Sequence, residues 1–544
     1  MSKIKIFSLG GLDEVGKNCY VVEVDNSIFV FDCGLKYANE NLYGIDYIIP
    51  DFDYLIKNKA RIQGLFLTHG HNENMGAVED LVRDLPNIKI YASKFTKYIL
   101  MEDGVSEKNI IEIKANKAIK FGENSVFPIS VSHSTPDSLM YVLNTKDGSI
   151  CYTGDFIVDP LMSGAYSTDL GKIAYVGKQN VLATLCGSVF SEKVGHTSPS
   201  HRLTEFFKDI INRREDRMIF LVQPNNLYTI QDIFNGAANK HRKIVLMGKR
   251  LQNVVALGIK ENYLSVPNGI LGDLSDLDKK DTILLISEDR ETPYSSISKI
   301  LNNYDKFIKL KSTDTVVFAV PKHDSTEKIL VKIENDLAEY GCNIVSIPKD
   351  KILSLHASSE DLMIMMRLLN PKYYIPVKGD YRYMVGNAEL AEKIGISKDN
   401  IILKQNGEVM LFENGERQEC FDKIPVNNIL IDGKSNDDVG SLVIKDREML
   451  GENGIVLISA TISRKEKVLL VGPEVTTRGF IYIKDSSEMI EEIKRMCEVI
   501  IERNITSEYV EYNKIKTEIR EELGKYLYRE TECKPMIIAV VQEV

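Results

Sequence analysis

Apolar and polar residues alternate along the first part of the chain in the way that short β-strands require, over residues 3–9, 19–24 and 27–32. The continuous apolar run Ile62–Leu67 predicts a buried strand, and Met75–Asp84 has the pattern of a helix. Up to about residue 180 the chain stays rich in strands, with short helices between them. This region therefore predicts one half of an α/β sandwich in which helices cover sheets.

From about residue 200 to 350 the pattern changes to a regular alternation of strand and helix. A helix over Arg202–Asn212 precedes the first of these strands, and Ser325 is predicted to cap a long helix that ends near Gly341. The strands are predicted over Met218–Val222, Lys243–Met247, Thr282–Ile286, Thr315–Val320 and Asn343–Ile347. Such alternation predicts a parallel sheet of βαβ units.

A third unit begins near residue 445 and mixes strands with two amphipathic helices. The predicted helices are Ser487–Glu502 and Tyr512–Tyr528. The predicted strands are Ile455–Ile462, Lys467–Val471, Phe480–Ile483 and Met536–Val541. This region shows no catalytic arrangement of residues, and its pattern indicates a small α+β domain.

Composition excludes few functions. With 544 residues, the chain has room for two to four domains, and its 44% hydrophobic and 27% charged residues are typical of a globular protein. No apolar run is long enough to span a bilayer, the N-terminus lacks a signal-peptide pattern, and the eight cysteines are scattered, so we expect a cytoplasmic protein without a membrane partner. The net charge of −10 argues against a surface that is basic throughout, but it leaves room for a local basic channel.

Candidate metal chemistry begins directly after the strand Ile62–Leu67, where His69 and His71 lie one residue apart. By itself such a pair is a weak signal, and a polar loop would explain it equally well. His133 and Asp155, however, each follow another predicted strand. Three imidazoles and a carboxylate that converge from strand ends suit a divalent ion such as zinc, with manganese or magnesium as alternatives.

These residues resemble the ribonuclease J family, the β-CASP group of metallo-β-lactamase fold hydrolases. The order His-x-His, His, Gly-Asp follows an opening strand pair that ends in Asp32-Cys33-Gly34. Further matching stretches are GIDYIIPDFDYL (44–55), HSTPDS (133–138), YTGDF (152–156), MMRLLNPKYYIPVKGDYR (365–382), VGPEVTTRGFIYI (471–483) and KPMIIAVVQEV (534–544). Within the family, the chain is most similar to the degenerate second paralogue of low-GC Gram-positive bacteria.

The resemblance implies the architecture of the whole chain. We expect a metallo-β-lactamase αββα sandwich with an inserted β-CASP parallel α/β domain and a small C-terminal α+β domain. The predicted boundaries are 1–198 and 353–440 for the two parts of the first domain, the second including a linker, 199–352 for the insertion, and 445–544 for a C-terminal assembly domain.

The resemblance also implies two metal sites, of which one is intact in residue type. His69, His71 and His133 would hold the first metal, and Asp155 would bridge to the second. At the second site, active members of the family have Asp, His and a late His. This chain has, at the same places, Glu73, Asn74 and Lys378. One metal is therefore expected, or two if other ligands compensate.

Lys378 cannot bind a metal while it is charged, because an ammonium group has no lone pair. We hypothesise that it occupies the position of the missing cation and neutralises Asp155 or Glu73. The alternative is a lysine that points to solvent at a strand end.

The remaining site residues follow from the same resemblance. Ser354, His356 and Ser358 match a stretch that binds a substrate phosphate, although Leu355 stands where the family has a glycine. Glu73, Asp155 and His356 are the predicted catalytic residues. Two further positions depart from the family. Gly187 stands where the family has a carboxylate, and a strand that runs into a loop without a function is the favoured interpretation there. The acidic segment Ser287–Glu291 replaces a glycine-rich loop beside the RNA path, where its carboxylates would repel RNA, and a solvated loop without a role explains it equally well.

Two functions remain open at this stage. The resemblance implies RNA processing and decay by 5′-to-3′ exonuclease and endonuclease activity, and the degenerate second site suggests weak activity in association with an active ribonuclease J. The alternative is a fully active two-metal ribonuclease J in rRNA maturation and mRNA decay. The expected partners are RNA, a second copy or an active ribonuclease J, and an RNA-degradation complex.

Overall fold

The computed structural model describes residues 2–38, 44–240, 242–287, 294–321, 327–432, 441–480, 487–505 and 510–544. The chain forms two compact units. The first contains residues 1–37 and 47–429, and the second contains residues 38–46 and 430–544. The predicted domain boundaries within these units remain predictions.

Two mixed sheets face each other in the first unit. The first sheet has eight strands, in the spatial order Glu416–Gln418, Met410–Glu413, Lys3–Gly10, Cys19–Val24, Ser27–Phe31, Ile62–Phe66, Ile90–Ala92 and Ile110–Glu112. The second has six, in the order Tyr373–Val377, Val181–Gly187, Gly148–Tyr152, Leu139–Thr145, Asn124–Ser130 and Ile119–Phe121. Phe66 of the first sheet packs against Tyr141 of the second, with 5.7 Å between ring centroids. Their shared apolar core lies between the sheets.

Helices cover the outer faces of both sheets. Those associated with the eight-stranded sheet include Val78–Asp84 and Lys94–Glu102, and those on the six-stranded sheet are Leu170–Gly177, Ser359–Leu369 and Tyr381–Lys393. The order of layers is helix, sheet, sheet, helix, as predicted. Shorter elements of this unit are the helices Asp53–Lys57 and Asn72–Met75 and the strands Lys36–Tyr37 and Tyr47–Pro50; Asn428–Ile431 is a further short strand at the unit boundary.

The predicted single helix over Met75–Asp84 is wrong in detail, because the chain forms two short helices, Asn72–Met75 and Val78–Asp84. Gly76 separates them. A Cβ atom at Gly76 would lie 2.6 Å from the Leu35 side chain, so the close packing of Leu35 requires a glycine there.

The insertion forms a five-stranded parallel sheet, as the alternating pattern predicts. Its strands have the spatial order Lys243–Met247, Thr282–Ile286, Met218–Val222, Thr315–Ala319 and Asn343–Ser346. The associated helices are Thr204–Arg213, Leu227–Ala237, Lys249–Lys260, Tyr294–Leu301 and Glu327–Tyr340. The predicted cap Ser325 lies outside the described residues.

The second unit is an α+β domain. Its sheet has the order Leu469–Arg478, Ile455–Ile462 and Met536–Glu543, and its helices are Ser441–Asn453, Ser487–Arg503 and Tyr512–Thr531. The predicted strand Lys467–Val471 is wrong in its bounds, and most of the predicted strand Phe480–Ile483 lies outside the described residues. One edge strand instead continues through Pro473, where an edge position tolerates the missing N–H. Phe480 lies beyond it, and residues 481–483 lie outside the described residues.

Strand direction brings the candidate site residues to one edge. Four strands of the six-stranded sheet run the same way: Asn124–Ser130, Gly148–Tyr152, Val181–Gly187 and Tyr373–Val377. Their carboxyl ends therefore open on the same side. His133, Asp155, Gly187 and Lys378 each lie at or just after one of these ends.

Candidate metal centre

Three histidines converge at this edge. His69 and His71 lie between the strand Ile62–Phe66 and the helix Asn72–Met75, and His133 follows the strand Asn124–Ser130. One ring nitrogen from each lies within 4.8 Å of the others. The sequence prediction that these three residues form one cluster agrees with this geometry.

Hydrogen bonds fix the orientation of the His133 ring. Its Nδ1 lies 2.8 Å from the carbonyl oxygen of Leu355, and a carbonyl only accepts, so Nδ1 carries the proton. The Nε2 atom then has a free lone pair, and it faces Nδ1 of His71 at 3.1 Å. On His69, Nδ1 lies 2.9 Å from the Thr68 hydroxyl. The rings of His69 and His133 are thus each held by a group outside the cluster, and the Nε2 atom of His133 points into it.

Burial keeps the three imidazoles neutral. It lowers the pKa of His71 and of His133 to about 3, and the pKa of His69 falls well below its ordinary value. Neighbouring rings add to the shift at His69 and His71, whereas Asp155 opposes it. Neutral rings keep the lone pairs that metal binding needs.

The donor set fits a divalent cation. The Nε2 atom of His69 is buried and has no hydrogen-bond partner among the described residues, which is the state of a nitrogen that awaits a ligand. Three neutral imidazole nitrogens are a common protein ligand set for zinc. His69, His71 and His133 would hold the ion.

Asp155 is close to this cluster but is paired elsewhere. One carboxylate oxygen lies 3.5 Å from His69 Nε2, and the other lies 3.5 Å from His356 Nδ1. The ammonium of Lys378 also forms a short ion pair with this carboxylate. Burial, the largest single influence, would raise the pKa of Asp155, but Lys378, His356 and His69 together outweigh it and hold this pKa well below its usual range.

Lys378 is buried, so the alternative in which it points to solvent is wrong. It is 3% exposed and follows the strand Tyr373–Val377 with a φ of +64°. Besides the ion pair with Asp155, its Nζ donates to Asn74 Oδ1 at 3.2 Å. Gly187 lies beside this pair. A Cβ atom at Gly187 would be in ordinary van der Waals contact with both partners, 3.6 Å from Lys378 Cδ and 3.7 Å from Asp155 Oδ1.

Asn74 links Lys378 to the buried carboxylate of Asp32. In the sequence, Asp32 is noted only as part of a motif that matches the family. The Asn74 amide donates to Asp32 Oδ2 at 2.6 Å, which turns its oxygen towards Lys378. Asp32 also accepts from the Thr68 backbone N–H at 2.8 Å and the Tyr152 hydroxyl at 2.7 Å. Burial raises the pKa of Asp32 to about 6 despite these bonds. Two of the three residues at the predicted second site, Asn74 and Lys378, are therefore tied into one network with Asp155 and Asp32.

A cleft opens above this edge. Its lining combines residues of the candidate metal centre with Ser354, Leu355 and His356 and with residues of the inserted domain, including Asn225 and Arg250. Glu73 also lines it, and its negative charge acts on Tyr37 across the opening. The cleft is partly open to solvent and has a cavity volume of about 100 Å³.

Comparison with known proteins places this geometry in a family. Along its whole length the chain is 34% identical to "Ribonuclease J2" of Bacillus subtilis (strain 168), covering 99% of both chains. The chain belongs to the ribonuclease J family. It is also 30% identical to "Ribonuclease J 2" of Staphylococcus epidermidis and of Staphylococcus aureus (strain MRSA252), in each case over 99% of this chain and 98% of the relative.

Family domain matches and a solved structure support the same assignment. Residues 12–166 match the metallo-beta-lactamase superfamily, and residues 349–403 match the Zn-dependent metallo-hydrolase RNA specificity domain. The ribonuclease J beta-CASP domain matches residues 215–336, and the ribonuclease J C-terminal domain matches 442–544. A crystal structure of a protein of unknown function from Enterococcus faecalis V583, at 18% identity and a TM-score of 0.52, covers 75% of this chain and 100% of its own. It supports the fold alone. The predicted family and fold class are confirmed.

Within this ribonuclease J chain, the predicted substrate residues separate into two groups. Ser354 and His356 line the cleft. Ser358 does not, and its predicted substrate contact is not supported. It is fully buried, its hydroxyl lies 2.8 Å from Thr197 Oγ1, and it forms a capping box with Asp361 at the start of the helix Ser359–Leu369.

The remaining outcomes concern the predicted acidic segment and three further residues near the site. Of the acidic segment Ser287–Glu291, residues 288–291 lie outside the described residues. No separate role was predicted for Asp32, Thr68 or Arg250, which the fold brings to the site. For Arg250 a signal exists, because it directly follows the carboxyl end of a predicted parallel strand, where ligands of α/β sheets bind. No helix among the described residues is long and apolar enough to cross a membrane.

Proposed function

We propose that this chain is an RNA-processing and decay protein with one metal site, in which Lys378 provides the positive charge of a second cation. Its hydrolytic activity would be weak, and it would act together with an active ribonuclease J. The family membership and the names of its relatives support RNA as the substrate. The observation that carries the proposal is the buried pairing of Lys378 with Asp155 and Asn74.

The first half of the site keeps its metal-binding chemistry. A zinc ion on the three histidines would act as a Lewis acid and lower the pKa of a bound water. The Leu355 carbonyl holds the His133 ring, and Thr68 holds the His69 ring, so two of the three rings are oriented by the protein itself.

The second half replaces metal chemistry with a fixed charge. Lys378 neutralises Asp155 without the open coordination positions that a metal offers to water or to a leaving oxygen. Asn74 has its oxygen occupied by Lys378 and its amide by Asp32, so neither end is available as a ligand. The expected consequence is a site that binds RNA and hydrolyses it slowly.

Ser354 and His356 are the proposed contacts to a substrate phosphate. Both line the cleft, and the Nδ1 atom of His356 lies 3.5 Å from Asp155. His356 is therefore oriented by Asp155 from one side and open to the cleft on the other. Its remaining ring nitrogen is placed to donate to or accept from substrate oxygen.

Decay of a short 5′-monophosphorylated RNA by the purified chain tests this proposal. We expect slow, metal-dependent decay that disappears in the variant H71A/H133A, together with co-elution of the chain with an active ribonuclease J. Equal decay by H71A/H133A would contradict the proposal. Rapid decay by the unmodified chain alone would favour the fully active alternative.

A further inference from the structure

Arg250 is a charged residue of the cleft that the proposed chemistry leaves unused. It lies in the first turn of the helix Lys249–Lys260, just after the inserted strand Lys243–Met247. Its side chain is 7% exposed and still lines the cleft. The inserted domain thus places a guanidinium in the wall of a cleft whose floor is the metal centre.

The guanidinium is held on one side only. Its Nη1 forms a short ion pair with Asp103, and its Nη2 lies 3.5 Å from the other oxygen of that carboxylate. Its Nε is buried and has no hydrogen-bond partner among the described residues. A buried N–H donor without an acceptor is costly, and such a group in a cleft indicates a ligand that completes it.

The charges that line the cleft explain why an RNA backbone would need this donor. Among the described residues, the Lys and Arg side chains in the lining are Arg250 and Lys378. Lys378 is committed to Asp155 and Asn74, while Glu73 adds negative charge. An RNA backbone entering this cleft therefore needs a cation that still has a free donor, and Arg250 is the one described side chain of the lining that meets this need.

A purely structural role is already served by neighbouring contacts. Asn253 donates to Glu102 at 2.9 Å, and Lys94 pairs with Glu261. These contacts join the helix Lys249–Lys260 and its end to the helix Lys94–Glu102, and none of these four residues lines the cleft. The Arg250–Asp103 pair lies where the same junction meets the cleft.

We propose that Arg250 contacts a phosphate of the bound RNA through its Nε and the outer face of its guanidinium, while Asp103 pairs with the other side of the guanidinium. The inference rests on the proposed function, because it takes RNA as the ligand. A guanidinium fork suits phosphate geometry better than a lysine ammonium does.

Equilibrium binding of a 5′-monophosphorylated RNA to the full chain, measured at several salt concentrations, tests this assignment. R250A is expected to weaken binding by roughly tenfold and to lower the salt slope by about 1. R250K, which keeps the charge but loses the fork, should fall between R250A and the unmodified chain. The matched control is R213A, because Arg213 is an exposed arginine of the same domain that pairs with Asp209; we expect it to bind like the unmodified chain.

D103N separates phosphate contact from a structural effect, since it weakens the same ion pair from the other side. If Arg250 contacts phosphate, D103N keeps most of the affinity that R250A loses. Equal losses in D103N and R250A, or unchanged binding by R250A, would overturn the inference. If R250A does not fold, the comparison of R250K with D103N decides in the same way.

The same experiment distinguishes this inference from the proposed function. Absence of RNA binding by the unmodified chain would remove the proposed function and with it this assignment. Normal binding by the unmodified chain and by R250A would remove only the role of Arg250.

Discussion

The two halves of the site differ in their electrostatics. In the first, three neutral imidazoles direct lone pairs to one point, and His69 Nε2 has no hydrogen-bond partner among the described residues. In the second, each polar group is matched by another protein group: Lys378 by Asp155 and Asn74, and Asn74 by Asp32. One half is arranged for an ion, and the other already contains its own positive charge.

Under the proposed function, this difference describes how a site could do without its second metal ion and keep its fold. A buried carboxylate such as Asp155 needs a positive neighbour, because an isolated buried charge is very costly. A lysine in place of a ligand supplies that charge. The protein then avoids an unpaired carboxylate, while the coordination positions that metal catalysis uses are lost.

The largest expected effect comes from the first half. The double substitution H71A/H133A removes two of the three clustered imidazoles and should reduce bound zinc to background, as measured by mass spectrometry of the purified protein. The control is H196Q, because His196 is 39% exposed and lies outside the cluster. Retention of zinc by H71A/H133A would show that the ion binds elsewhere.

The next effect tests the second half. K378A leaves the Asp155 carboxylate buried without its ammonium partner and should cost about 3–5 kcal/mol in the free energy of unfolding, measured by urea denaturation. The apolar pair K378M/D155L should recover most of that loss. K57A removes an exposed lysine from its pair with Asp53 and serves as the control, with no measurable change expected. A K378A variant as stable as K57A would mean that the pair is not formed.

Lowering the pH should destabilise the protein through the histidines of the first half. In the metal-free protein, His71 and His133 have pKa values of about 3, below the ordinary 6.5, so the unfolded state takes up protons first as the pH falls. Their contribution is therefore intact above pH 6.5 and is lost below it, by about 1.4 kcal/mol for each residue at pH 5.5. Urea titrations at pH 7.5 and 5.5 measure this loss, and H71Q/H133Q should reduce it. A stability that is unchanged between these pH values would contradict the buried neutral state.

The smallest effect separates two serines that the sequence grouped together. S358A removes a helix cap and should cost about 1 kcal/mol of stability without changing RNA affinity. S354A should do the reverse, because Ser354 lines the cleft. Denaturation and RNA binding, measured on both variants, check the pair. Weaker RNA binding by S358A at unchanged stability would restore its predicted role.

Sequence patterns were sufficient for the elements that depend on local periodicity. The parallel sheet of the insertion follows from alternation, and the histidine cluster follows from candidate ligands placed just after the ends of predicted strands. The burial of Lys378 does not follow, since lysine after a strand is usually solvated. It depends on Asp155 and Asn74, which are 223 and 304 residues away in the chain. Arg250 and Asp103, 147 residues apart, were missed for the same reason.

The central claim is that Lys378 replaces one of two cations, and metal content tests it most directly. Mass spectrometry of the purified chain should find one zinc per chain, and the variant E73D/N74H/K378H, which restores the family ligands, should bind two. Two metals in the unmodified chain, or an unchanged count in the restored variant, would contradict the account.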